Sequence, residues 1–195
     1  MKVIGITGGI GAGKSAILKY LSDNYKCEII MADDVAKSLY YKGGKAYQMI
    51  TMLFGDDILD DNKEIDKKKL ADAIFGNSNK RAALDSIVHP LVKQEIITRV
   101  TNNRIAGKLD YTFVEAALLL DDHYDVFCDE VWYIDANEDT RRKRLKDNRG
   151  YSDEKIDNIF ASQKKKEEVL DKCDYCIDNS GDINEAFNRI NEILR

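Results

Sequence analysis

Proline is almost absent from this chain of 195 residues: Pro90 is the only one, and it follows His89. No repeat and no Pro-, Gly- or Ser-rich linker divides the sequence, so it reads as one domain with insertions rather than two domains. No apolar run approaches the roughly 20 residues that a bilayer-spanning helix needs. Positive charge is not in excess either. Thirty Lys and Arg face thirty-five Asp and Glu, a formal net charge of −5, which argues against broad electrostatic binding to nucleic acid or anionic membrane. Cysteine is sparse, with four in total, and free thiols are expected. Cys173 and Cys176 have C-x-x-C spacing, but no second pair accompanies them, and His89 and His123 are distant in sequence. Cys176 therefore reads as part of a buried strand, not as a metal ligand. Before the first β-like run there is one early charge, Lys2, and no small-residue cleavage site, so a cytoplasmic protein is expected.

Glycine, by contrast, is concentrated where it matters. Gly8-Gly9-Ile10-Gly11-Ala12-Gly13-Lys14-Ser15 fits G-x-x-x-x-G-K-[ST], the phosphate-binding P-loop pattern. The β-branched run Val3 to Thr7 precedes it as a buried strand, and Ile17, Leu18 and Leu21 follow at helical spacing. Backbone N–H groups of such a loop form a nest for phosphate oxygens at a positive helix end. In this pattern Lys14 reaches the β- and γ-phosphates of a nucleoside triphosphate, and the Ser15 hydroxyl ligates Mg²⁺. The motif alone does not distinguish a kinase from a GTPase or a motor.

Four more short runs read as strands: Cys27–Met31, Thr112–Ala116, Glu130–Ile134 and Asp174–Ile177. Their alternation with helical segments implies an α/β fold, a doubly wound five-stranded parallel sheet. Residues 34–105 are mostly helical, too long for an ordinary crossover, and read as a substrate-binding insertion. Within it Pro90 is expected near the start of a helix, where a missing N–H is tolerated. Asn184 to Leu194 closes the sequence as an amphipathic helix.

Ligands in such folds sit at the carboxyl ends of the strands. Asp33, just past the second strand, can orient an attacking hydroxyl and accept its proton; capping the next helix is the competing role. Glu115 ends the third strand and resembles an acidic residue that completes a Mg²⁺ site through water. Asp121 follows soon after, and either carboxylate can equally be a solvated loop residue. The basic run Thr140 to Arg149 can be a nucleic-acid patch, a charged helix face, or a lid that offsets phosphoryl charge.

With these pieces placed, the chain resembles the dephospho-coenzyme A kinase family over nearly its whole length. Ile6 to Ser15 is similar to the family's Leu-Thr-Gly-Gly-Ile-Gly-Ser-Gly-Lys-Ser, and Met31-Ala32-Asp33 to its Asp-Ala-Asp. Phe54-Gly55, Ile65-Asp66-Lys67 and Leu70 follow its Phe-Gly, Ile-Asp-Arg and Leu spacing. The segment Leu84-Asp-Ser-Ile-Val-His-Pro-Leu-Val92 is close to its Leu-x-x-Ile-Val-His-Pro-x-Val. Gln163 and Ile177-Asp178-Asn179-Ser180-Gly181 match its Gln and Ile-x-Asn-x-Gly near the adenine.

Departures are also visible. Ala16 replaces the family's usual Thr, Ala117 to Asp121 stands for Pro-Leu-Leu-Phe-Glu, and Lys67 replaces an arginine, which loses the bidentate fork. The family's lid arginine falls on Asn148, with Arg149 one position on.

The resemblance implies a P-loop kinase fold with a short helical lid at 140–165. It implies phosphorylation of the ribose 3′-hydroxyl of dephospho-coenzyme A by ATP, with Mg²⁺, as the last step of coenzyme A synthesis. ATP would be held by Gly8, Gly9, Ile10, Gly11, Ala12, Gly13, Lys14, Ser15, Ala16, Arg144, Arg149 and Asn179. Asp33 and Lys14 would be catalytic, and His89, Lys93, Lys67 and Glu115 would bind the acceptor. Partners would be these small molecules, with no nucleic acid or membrane, and the protein a monomer or small homo-oligomer. The alternatives are another P-loop kinase for a nucleoside, nucleotide or small metabolite, and a GTP-binding switch. Against the switch, the chain has no Asn-Lys-x-Asp motif, and its two Asp-x-x-Gly matches, at 147–150 and 178–181, come late.

Overall fold

The first strand is the middle of the sheet. In the computed structural model, which describes residues 1–195, β1 (Lys2–Thr7) leads to α1 (Lys14–Asn24) and β2 (Cys27–Met31). Four helices follow: α2 (Ala32–Leu39), α3 (Lys45–Phe54), α4 (Lys67–Ile74) and α5 (Ser78–Ala106). The chain continues through β3 (Tyr111–Glu115), β4 (Glu130–Asp135), α6 (Glu138–Arg149), α7 (Asp153–Ser162) and α8 (Lys166–Leu170). It closes with β5 (Tyr175–Asp178) and α9 (Ile183–Ile193). The sheet order is β2-β3-β1-β4-β5. β1 pairs in parallel with β3, setting Ile4 beside Phe113 and Ile6 beside Glu115, and with β4, setting Ile6 beside Trp132. All five strands coincide with the expected runs to within about a residue at each end.

Two compact units divide the chain, residues 1–29 with 103–195, and residues 30–102. In the first, side-chain alternation sends Ile4 and Ile6 to one sheet face with Phe113, Trp132, Ile134 and Ile177. Ile17 and Leu21 of α1, together with Ala186 and Ile190 of α9, cover that face. Each fully buried Ile or Leu there contributes on the order of 1.5–3 kcal/mol. Tyr20 stacks on Phe187 with centroids 4.0 Å apart, and the Tyr20 and Tyr25 hydroxyls both donate to Asn191 Oδ1. The sheet's edge strand corrects one expectation. β5 alternates, so Ile177 is buried and Cys176 is exposed; the four cysteines are all free thiols.

In the second unit α5 carries a buried stripe at Leu84, Val88, Val92 and Ile96, continued by Val100 in the helix's last turns. This corrects the placement of Pro90, which lies inside α5 and not near its start. Proline has no N–H to give the Ser86 carbonyl, and the interruption costs up to about 3 kcal/mol. The stripe keeps its four-residue spacing on both sides of Pro90, and burial of those side chains offsets the lost bond.

Candidate active site

The loop between β1 and α1 is closed by glycines that no other residue can replace. Gly8 has φ +144°, and a Cβ there would lie 2.2 Å from the Ile134 carbonyl oxygen. Gly13 caps α1 at φ +91°, and a Cβ there would lie 2.2 Å from Asn179 Nδ2. The first turn of α1 contains no acidic residue, so no carboxylate of its own offsets the positive helix end.

Lys14 points back into the loop. Its ammonium donates to the Gly8 carbonyl at 2.7 Å and the Gly9 carbonyl at 3.4 Å, and it lies 3.7 Å from Glu115. Burial pulls the Lys14 pKa below the ordinary lysine range; Glu115 opposes the shift and Arg141 adds to it. Glu115 is buried at the end of β3, beside this lysine. Asp121 pairs with Lys164.

The basic run resolves into residues with separate tasks. Arg144 donates to the Asn179 carbonyl at 2.8 Å and to those of Ala12 and Gly11 at 3.3 and 3.4 Å. Asn179, itself buried, donates through Nδ2 to the Ala12 carbonyl. Arg142 turns away to Glu138, Asp153 and Asp157, joining α6 to α7. Arg149 is exposed at the end of α6, and its charge lowers the pKa of the Tyr151 hydroxyl. Arg141, which was not among the expected site residues, donates from Nε to the Ile10 carbonyl at 2.8 Å and from Nη2 to Gln163. Its spacing was a usable signal, since residues three apart share a helix face and Arg141 and Arg144 are such a pair. A cleft of about 970 Å³ opens here, lined by Gly8, Gly9, Asp121, Tyr133, Arg141 and Gln163 among others.

Asp33, Lys67, His89 and Lys93 belong to the second unit. Asp33 is exposed in the first turn of α2, whose N-cap residue is Met31, and no side chain bonds that cap. The competing role of helix cap is therefore excluded. Lys67 is exposed at the start of α4, behind the true cap Asp66, which accepts from the N–H groups of Lys68 and Lys69. His89 lies 3.8 Å from Asp85 one turn earlier on α5, and Lys93 stands one turn later.

The donor set for a divalent cation is small. Ser15 is exposed in the first turn of α1, and its hydroxyl makes no hydrogen bond within the protein. Nowhere do three His, Cys, Asp or Glu side chains converge into a cage. A lone hydroxyl at a phosphate loop fits Mg²⁺, which keeps several waters and takes most remaining ligands from substrate phosphates.

A P-loop at the end of β1, in a parallel sheet of order 2-3-1-4-5 with arginines from α6 on the loop carbonyls, defines a P-loop kinase. The fold agrees with solved structures. TT1252 from Thermus thermophilus superposes with a TM-score of 0.78 at 22% identity, over 99% of this chain and 96% of that one. Shikimate kinase from Acinetobacter baumannii gives 0.54 at 13% identity, covering 100% and 93%. Within that class the chain belongs to the dephospho-CoA kinase family, whose profile matches residues 2–185. Dephospho-CoA kinase from Carboxydothermus hydrogenoformans is 35% identical over 100% of this chain and 94% of its own length. The Streptococcus mutans enzyme is 32% identical over 100% and 96%. The solved dephospho-CoA kinase from Campylobacter jejuni is 25% identical with a TM-score of 0.73, over 100% of this chain and 98% of that one. No helix of the chain is long and apolar enough to cross a membrane.

Proposed function

We propose that the chain transfers the γ-phosphoryl group of ATP to the ribose 3′-hydroxyl of dephospho-coenzyme A, yielding coenzyme A and ADP. The observation that carries this reading is a formed phosphate loop, Lys14 folded into it, in a chain matched to dephospho-CoA kinases from residue 2 to residue 185. The loop amides and Lys14 hold the β- and γ-phosphates, Lys14 exchanging the carbonyls of Gly8 and Gly9 for phosphate oxygens. Ser15 would hold Mg²⁺ through its hydroxyl, and the ion would offset negative charge on the phosphate oxygens. Asp33 accepts the proton of the 3′-hydroxyl as its oxygen attacks phosphorus, and the bond to the bridging oxygen of ADP breaks. Support for Asp33 lies in its position two residues past β2, with no capping duty. Arg144 braces the loop, Asn179 fixes its end, and Arg149 is the exposed cation at the edge of the lid. Lys67, His89, Lys93 and Glu115 recognise the acceptor. Residues 34–105 form its binding insertion and residues 140–165 the lid. The enzyme acts in the cytoplasm as a monomer or small homo-oligomer. A surface of net charge −5 supports small-molecule partners over nucleic acid.

A coupled assay of ADP release tests the reading. Dephospho-coenzyme A must raise turnover well above that of ATP alone. Stimulation by a nucleoside, a nucleotide or shikimate instead would reassign the acceptor.

A further inference from the structure

Three arginines of α6 occupy the same stretch of helix, and two of them are fully accounted for. Arg142 is neutralised by three carboxylates, and Arg144 is spent on three backbone carbonyls. Arg141 differs from both. Its guanidinium is half-buried in the wall of the 970 Å³ cleft, and no carboxylate lies within 4.0 Å of it. It is nonetheless held rigidly: Nε on the Ile10 carbonyl, Nη2 on Gln163, and the flat face 4.3 Å from the Phe160 ring centroid. The Nη1 nitrogen makes no hydrogen bond. The group lies directly on Gly9, where a Cβ would meet Nη2 at 2.6 Å and Nη1 at 3.0 Å.

We propose that Arg141 is a phosphate-binding residue of the donor site, its Nη1 edge taking an oxygen of the nucleotide's terminal phosphates beside Gly9. The assignment rests on the ATP reading above. A well-held cation with no carboxylate in direct contact, on the backbone of an anion-binding loop, is a site prepared for negative charge. Lys14 strengthens the case. The Arg141 charge disfavours that of Lys14 on the same loop, so the loop carries positive charge that an incoming anion would offset. The missing side chain of Gly9 leaves the space that the guanidinium occupies, and a Cβ there would push it aside.

The alternative is a bracket that fastens α6 to Ile10 and touches no ligand. Direct binding to the full chain without acceptor separates the two. For Arg141→Gln, the affinity for ATP falls about 10- to 100-fold, the range of one hydrogen bond to a charged group, while the affinity for adenosine is unchanged. Arg141→Lys, which keeps the charge but not the fork, loses less, and again only for ATP. Arg142→Gln leaves ATP affinity as it was. Undiminished ATP binding by Arg141→Gln, or a parallel fall for ATP and adenosine, would overturn the proposal. Should Arg141→Gln lose its cooperative thermal transition, the same split between ATP and adenosine is read from Arg141→Lys. A wild-type chain that binds no ATP would refute the donor site itself. Wild-type binding matched by the variant would refute Arg141 alone.

Discussion

The side-chain amide of Asn179 donates to the carbonyl of Ala12 across 2.7 Å, so the turn after β5 and the last residues of the phosphate loop form one hydrogen-bonded piece. The backbone N–H of Asn179 is bonded in turn to Asp135 at the end of β4. Asn179→Ala leaves the Ala12 carbonyl without this donor in a buried setting. The expected loss is about 1–3 kcal/mol of stability, read as a lower midpoint in urea at unchanged slope. Weaker ATP binding should accompany it, because the loop is no longer held in place.

Asp33→Asn keeps the size of the side chain and removes its ability to take a proton. Turnover should fall by at least about 10²-fold, while ATP affinity stays near that of the wild type. Near-normal turnover would leave Asp33 no part in the chemistry. It would not restore a capping role, because the cap position of α2 is held by Met31.

Alkaline pH should weaken the fold, and Cys128 should account for part of the loss. Burial first, then Asp125 and Asp129, push its thiol up to about 12 from an ordinary 9.0. Between those values the native state keeps a proton that the unfolded chain has released. The stabilisation is therefore complete below pH 9 and is lost as pH rises toward 12. Tyr124, pushed up to about 12 by burial and by Asp122, acts in the same direction from its ordinary 10.0. Thermal midpoints measured from pH 8 to pH 11 should fall less steeply for Cys128→Ala than for the wild type.

Pro90→Ala should stabilise the protein. The new N–H can reach the Ser86 carbonyl inside α5, worth up to about 3 kcal/mol, less about 1 for the freedom returned to the unfolded chain. A net gain of about 2 kcal/mol corresponds to a thermal midpoint higher by roughly 4–8 °C in a chain of this size. If the acceptor depends on the helix geometry around His89, the same variant should show a higher KM for dephospho-coenzyme A with KM for ATP unchanged.

The strands and the loop were readable because their signals are local. Val3 to Thr7 is β-branched, and Gly8 to Ser15 has a fixed spacing that few other structures need. Pro90 misleads a reading of the sequence because a proline ordinarily ends or begins a helix. Only the burial of Leu84, Val88, Val92 and Ile96 on one face shows that this helix continues through it. The apolar run around Cys176 predicts burial, but β5 alternates along the sheet edge and exposes Cys176 while burying Ile177. The arginines of α6 could not be ranked by charge density. Arg141, Arg142 and Arg144 look alike in sequence and differ only in what meets them: a loop carbonyl with an aromatic ring, three carboxylates, or three carbonyls.

β1 is synthesised before both of its neighbours in the sheet, which begin at Tyr111 and Glu130. Until the chain has grown past Tyr111 this apolar strand has no partner on either edge, which exposes it to pairing with other nascent chains. The clamp on the loop comes later still, with Asn179. Slowing elongation before residue 111 should therefore lower the yield of active enzyme more than slowing it after residue 180.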